Sequence, residues 1–270
     1  FARVHVTSNE AMGANASRYP SVPKLEYGSQ SVQGRRASME DSLLVHDDES
    51  CADGLFAVFD GHNGKDCAVF LQKNYVDTLR AQEGFQSEES EQIEAAMKKA
   101  ATEVDAAYLK AAKKNRWSAG STGIIALCRG NMMWISNTGD SRAVAVVDGK
   151  PLPLSVDQKA DLPDEKKRIE ESGGSVVAGR IQGILAMARA FGNPSLKAQN
   201  YLIADPEITR TIIDDELQYV VLASDGLWDV VSTKRVAKYL TETSRYSSPS
   251  EQAEALTTMA YQRGSMDNIS

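Results

Sequence analysis

Two stretches of the chain repeat one pattern. Ala57-Val58-Phe59-Asp60-Gly61-His62 and Leu222-Ala223-Ser224-Asp225-Gly226 each run from an apolar strand-length segment into Asp-Gly. Such runs, Leu55–Phe59 and Tyr219–Ser224, read as buried strands. Asp-Gly is the ordinary signal of a tight hairpin, and Asp53-Gly54 and Asp148-Gly149 read that way. After Asp60 and Asp225, however, a helical pattern follows rather than a second strand. Each strand therefore delivers a carboxylate at its end, and the glycine after it lets other groups approach the backbone.

Around these strands the periodicity is mixed. Ser42–Val45 reads as a strand, and Lys65–Leu79 as a helix. Glu91–Lys114 is the clearest helix, with Ile93, Met97, Val104 and Tyr108 recurring at helical spacing. Thr122–Arg129, Met132–Asn137, Arg142–Val147 and Leu152–Leu154 read as an antiparallel meander. Asp164–Ser172, Thr233–Ser244 and Ser250–Arg263 read as further helices, with Ser232 and Ser250 as N-caps. Hairpins and long helices without strict alternation predict an α+β fold, antiparallel sheets packed against helices in one domain. Asp157–Gly183, charged and rich in turn residues, is set apart as an insertion.

Other acids sit next to these elements: Met39-Glu40-Asp41 before the first strand and Asp267 after the last helix. The chain has three cysteines (Cys51, Cys67 and Cys128) and three histidines, without zinc-type spacing. Glu40, Asp41, Asp60, Asp225 and Asp267 together form an oxygen-only set suited to Mg²⁺ or Mn²⁺. The odd, scattered cysteines read as reduced thiols of an intracellular protein, cytoplasmic or nuclear. The formal net charge is −7, with no basic cluster, which argues against a nucleic-acid partner or a nuclease. No apolar run reaches the ~20 residues of a membrane span.

Met12-Gly13-Ala14-Asn15-Ala16-Ser17 fits the N-myristoylation pattern. If Met12 is the initiator, Gly13 carries the lipid, residues 1–11 are a tag remnant, and the chain attaches weakly to membranes. On this reading residues 1–22 form an N-terminal extension, and 23–270 the domain.

Seven segments, in order, resemble one family. Arg36-Ala37-Ser38-Met39-Glu40-Asp41, Phe56 to Gly64, Ala119-Gly120-Ser121-Thr122, Asn137 to Ala143, Asp157 to Gly174, Leu222 to Val230 and Gly264 to Ser270 are similar to the motifs of the metal-dependent protein phosphatases, the protein phosphatase 2C family. The resemblance covers residue 28 to the end. It implies a β-sandwich of two antiparallel sheets flanked by helices, a four-layer αββα arrangement with a flap at about 155–183. It also implies hydrolysis of phosphoserine and phosphothreonine in phosphoprotein substrates by a monomer using two Mg²⁺ or Mn²⁺ ions. Carried over residue by residue, Asp60 bridges both metals, Glu40 and the Gly61 carbonyl hold one, and Asp225 and Asp267 the other. Asp41 and Asp229 stand behind them or hold water, and Asp140 with Asp225 makes a weaker third site. Arg36 binds phosphate with a planar fork, and His62 is the general acid for the leaving group.

The chain departs from the family at three points. Gln158 and Ala160 stand in the family's DHKP segment, and Ala188 and Asn193 in its SRAxGD segment. The chain stops at Ser270, where the family continues into an apolar strand, so the resemblance places that strand beyond residue 270. A phosphatase-like scaffold without activity is the competing reading, but such a protein would have lost Asp60, Asp225 or Asp267.

Overall fold

The structure, a computed structural model, describes residues 2–5, 24–48, 53–244 and 246–270. Met12 to Ser17, with the lipidation candidate Gly13, and Cys51 lie outside the described residues. In chain order the main strands are β1 (Ala2–His5), β2 (Lys24–Tyr27), β3 (Ser42–Asp48), β4 (Asp53–Phe59), β5 (Gly123–Arg129), β6 (Met132–Thr138), β7 (Arg142–Val147), β8 (Lys150–Pro153), β9 (Glu207–Ile212) and β10 (Leu217–Ala223). The main helices are α1 (Asp66–Arg80), α2 (Ser90–Asn115), α3 (Pro163–Glu171), α4 (Thr233–Thr243) and α5 (Pro249–Gln262).

The strands form two five-stranded sheets, ordered β8-β7-β10-β1-β2 and β9-β6-β5-β4-β3. All their pairings are antiparallel. Alternation along the central strands decides the layers. Leu55, Ala57 and Phe59 of β4 pack with Leu71, Tyr75, Met97 and Tyr108 of α1 and α2. Phe56 and Val58 turn the other way, toward Val220 and Leu222 of the opposite sheet. Tyr219, Val221 and Ala223 then meet Val236, Leu240 and Leu256 of α4 and α5. Helices, sheet, sheet and helices follow one another, so both faces of β4 and β10 are covered. That is why their sequences read as unbroken apolar runs. Each large side chain buried this way contributes about 1.5–3 kcal/mol.

The expected meander is instead two hairpins in different sheets. β5 pairs with β6 in one, and β7 with β8 in the other. The link Gly139-Asp140-Ser141 carries the chain across, with Gly139 at φ +112°. Turn signals report which strands are neighbours in sequence, not which sheet each joins.

Three further elements differ from the sequence reading. β9, which it did not anticipate, pairs with β6 along its whole length. Ala2–His5, set apart as extension, pairs with β10 and β2. The cap of α5 is Ser248 rather than Ser250: Ser248 and Glu251 form a reciprocal capping box, with Pro249 in the first turn.

The flap carries its own apolar cluster, in which Ala160, Ile169 and Ile181 pack with Leu185, Ala188, Ala190, Leu196 and Leu202. The unit thus reaches well past residue 183. Cys67 and Cys128 are buried free thiols. Among the described residues, no helix is long and apolar enough to cross a membrane.

Replacing Ser248 with Ala removes the cap acceptor of α5. Stability is expected to fall by about 1 kcal/mol, or about 2–4 °C in melting temperature. Any catalytic turnover should be unchanged, since Ser248 lies outside the cleft described next.

Candidate active site

The acids singled out in the sequence meet at one end of the sandwich. Asp60 follows β4, Asp225 follows β10, and Glu40 and Asp41 precede β3. Asp140 sits on the crossing between the sheets, and Asp267 follows α5. Glu40, Asp60, Asp140, Asp225, Asp229 and Asp267 line a single cleft of about 800 Å³ together with Arg36, Gly61 and His62. Asp41 lies behind it, buried, and accepts a hydrogen bond from Ser224 Oγ at 3.1 Å.

The glycines of the two Asp-Gly pairs explain how the segments come so close. A Cβ on Gly61 would stand 2.3 Å from the Glu40 carbonyl oxygen, and one on Gly226 would stand 1.8 Å from that of Asn268. Each strand-end acid is thus backed by the main chain of another acidic segment. Asn268 stitches those segments together. Its Oδ1 accepts from the Glu40 N–H at 2.8 Å, while its amide donates to the Gln33 and Ser38 carbonyls. The sequence reading gave Asn268 no role, because its side-chain hydrogen bonds all reach residues more than 200 positions away.

The cleft carries excess negative charge. Burial, then the neighbouring Asp41, Asp225, Asp140 and Asp267, push the Asp60 carboxyl well above its usual range. Burial, followed by Asp140 and Asp229, raises Asp225 to about 7. Burial raises Asp41 to about 6. Two cations offset part of this: Arg36 Nη2 donates to Asp267 Oδ2 at 2.6 Å, and Lys159 Nζ to Asp140 Oδ2 at 2.5 Å. Asp140 Oδ1 remains buried without a hydrogen-bond partner.

Among the described residues, no three His, Cys, Asp or Glu side chains are gathered tightly enough to form a metal shell as they stand. The donor set nevertheless fits a hard divalent cation: oxygens only, crowded, mutually repelling and with an orphaned buried carboxylate oxygen.

His62 is held at the rim by a small sheet, in which Gly61–His62 pairs with Gly120–Ser121 and that pair with Phe191–Gly192. Its Nε2 lies 2.8 Å from Asn193 Oδ1. With the amide oxygen facing it, Nε2 carries the hydrogen. Burial lowers the pKa of His62, and the Asn193 contact opposes that shift. Asn193 is itself buried, in left-handed backbone at φ +52°.

The other departures have structural explanations. Buried Gln158 accepts from the Gly139 N–H at 2.8 Å and donates to the Asn137 carbonyl, filling its place without charge. Ala188 and Ala160 are fully buried in the flap cluster. Asp157 takes a two-point ion pair from Arg142 at 2.8 and 2.7 Å, fixing the start of the flap to β7. Arg180, Ile184, Leu185 and Met187 of the flap form one wall of the cleft. Lys159 was missed as a site residue, although it stands within a quoted motif.

A family model described as "Protein phosphatase 2C" matches residues 25–269. "Probable protein phosphatase 2C 59" of Arabidopsis thaliana is 41% identical over 251 residues, 91% of this chain and 78% of that protein. "Probable protein phosphatase 2C 55" of Oryza sativa subsp. japonica is 39% identical over 91% of this chain. The chain spans 64% of that rice protein and 49% of "Probable protein phosphatase 2C 52" from the same plant. Among solved structures, the serine-threonine phosphatase 2C of Toxoplasma gondii superposes with a TM-score of 0.80 at 22% identity, over 89% of this chain and 91% of that one. A C. elegans sex determining protein superposes at 0.79 with 23% identity, over 90% of this chain and 62% of that one. These two likenesses show the fold.

The charge balance has a measurable consequence. Asp41 and Asp225 ionise near pH 6 and 7 in the fold, but near 4 in an unfolded chain. The folded state holds extra protons between those values, so their contribution to stability is present at low pH and lost as pH rises through 6–7. In EDTA, Asp225→Asn is expected to melt at a higher temperature than the parent at pH 8 and to show a flatter pH dependence between 5.5 and 8. Scanning calorimetry that found the variant less stable at pH 8 would refute this electrostatic picture.

Proposed function

The chain belongs to the protein phosphatase 2C family, and on that premise we propose that it hydrolyses phosphoserine and phosphothreonine monoesters in proteins with two divalent cations, Mg²⁺ or Mn²⁺. The observation that carries the proposal is the single cleft in which Asp60, Asp225, Asp140 and Asp267 crowd together beside Arg36. Glu40 and the Gly61 carbonyl would hold one ion, Asp225 and Asp267 the other, and Asp60 both. Asp140 with Asp225 would hold a weaker third, and Asp41 and Asp229 would support from outside. Asp229 is exposed and free to hold water, while Asp41 is buried against the hydroxyl of Ser224. Ions bound there would supply Lewis acidity toward phosphoryl oxygen and water.

The remaining steps belong to side chains of the protein. Arg36 spends one N–H on Asp267 and is otherwise exposed, leaving its other donors for the phosphoryl oxygens. That contact orients phosphorus in front of the acids and stabilises the charge that develops on its oxygens. Water provides the oxygen that bonds to phosphorus as the ester P–O bond breaks. His62 gives its proton to the departing seryl or threonyl oxygen while the attacking water releases one to solvent, so the products are inorganic phosphate and the free hydroxyl. With Nε2–H held by Asn193 Oδ1, the transferred proton would be carried on Nδ1 of the imidazolium; burial makes that proton more acidic, while Asn193, Asp140 and Glu40 favour the charged ring. The flap wall, with Ile184 and Met187 beside Arg180, offers the surface on which a phosphoprotein would rest.

Two outcomes are expected. EDTA should abolish turnover of a phosphothreonine peptide, and Mn²⁺ or Mg²⁺ should restore it; rescue by Zn²⁺ alone would contradict the oxygen-only donor set. Arg36→Ala should raise KM at least about tenfold with a smaller change in kcat, as loss of hydrogen bonds to a charged group worth about 1.5–3 kcal/mol implies. Steady-state kinetics in which only kcat changed would remove Arg36 from phosphate binding.

A further inference from the structure

Asp105 is a buried acid that the chemistry above does not use. It stands on α2 among Met97, Ala101, Val104 and Tyr108, on the face that fills the core. Its Oδ1 accepts from the Gly192 N–H at 2.7 Å, and its Oδ2 takes a close contact from Lys197 Nζ. Both side chains of the pair are 9% exposed. An ion pair withdrawn from water is a poor way to gain stability, because well-packed apolar groups of the same volume do as well or better. Burial pushes the Asp105 carboxyl up and the Lys197 ammonium down, so each ion is kept charged against a desolvation cost.

What the pair grips lies between its two anchor points. One carboxylate holds Gly192 through the backbone and Lys197 through its ammonium, and Asn193 is the residue just after the first anchor. The turn is closed on itself as well, since the Lys197 N–H donates to the Asn193 carbonyl at 3.1 Å. The Asn193 N–H donates to the Ala119 carbonyl, also at 3.1 Å. That carbonyl accepts from Tyr108 Oη as well, so α2 fixes it too. Gly192 has no room for a side chain: a Cβ there would stand 2.6 Å from the Ala119 carbonyl oxygen. From this clamped turn, in left-handed backbone, Asn193 Oδ1 reaches His62 Nε2.

We propose that the Asp105–Lys197 pair is a positioning device: through the Gly192–Asn193 turn it holds the Asn193 amide against His62 and so aims that imidazole at the leaving oxygen. The proposal rests on the reading of His62 as proton donor. Asp105 and Lys197 touch neither substrate nor metal ligands; they act through Asn193.

A positioning role separates from a merely structural one by leaving group. A seryl or threonyl oxygen needs a proton to depart, whereas p-nitrophenolate does not. Asp105→Asn keeps an acceptor for Gly192 and removes the charge that Lys197 meets; Lys197→Met keeps the stem and removes the ammonium. Both variants, in Mn²⁺, are expected to lose about tenfold or more in kcat on a phosphothreonine peptide. The same preparations should keep turnover of p-nitrophenyl phosphate within about twofold, which also reports that they are folded. His62→Gln should show the same selective loss, and Asp105→Asn should add nothing in that background. Equal losses on both substrates, or no loss on either, would overturn the positioning role. If His62→Gln is selective and the Asp105 and Lys197 variants are not, the positioning role alone fails. If His62→Gln is not selective, the proton-donor reading fails and this proposal with it.

Discussion

Carboxylates of one sign, drawn from distant stretches of chain, share the end of the sandwich, and that repulsion is what the surrounding structure is arranged to tolerate. Asp60 and Asp225 arrive on strands covered on both faces, so neither can withdraw without opening a core. Their glycines let the Glu40 and Asn268 backbones press against them. Arg36 and Lys159 each neutralise one acid. What is left raises the carboxyl groups of Asp60, Asp225 and Asp41, a stored cost of the kind that concentrates at functional sites. Cation binding would relieve it, which couples the stability of this region to its chemistry.

The flap is tied to that centre by charge as well as by the buried Phe191 and the neutral hydrogen bonds of Gln158. Arg142 grips Asp157, Lys159 reaches Asp140, and inside the flap Glu165 accepts from both Arg168 and Arg189. These pairs span segments at the edge of the cleft, so the wall bearing Ile184 and Met187 is set relative to the acids that would carry the reaction. The uncharged replacements at Gln158 and Asn193 fit the same scheme. Each meets its neighbours through an amide, and neither adds a carboxylate to a cleft that already holds too many.

Much of this was legible in the sequence wherever a local rule sufficed. Apolar runs ending in Asp-Gly marked β4 and β10 and the acids at their ends. Helical spacing marked α1 and α2. The resemblance then named the residues that line the cleft, which spacing by itself could not bring together. What escaped the sequence depends on long-range partners. The crossing at Gly139 looks like any hairpin turn, so the four middle strands read as one sheet. β9 alternates apolar and polar residues too weakly to stand out from its charged surroundings. Asp105 carries no local signal of its place, because nothing near it in sequence discloses that Lys197 and Gly192 lie opposite it. The capping box at Ser248 was readable and overlooked: Ser248-Pro249-Ser250-Glu251 is its signature.

The proposed role of these oxygens is to hold cations. The most direct measurement is anomalous scattering from crystals soaked in Mn²⁺. Two manganese peaks, one on either side of the Asp60 carboxylate and within bonding reach of Glu40, Asp225 and Asp267, are the expected result. A cleft empty of manganese under saturating soak, with Arg36 and Lys159 still closed on their acids, would contradict it.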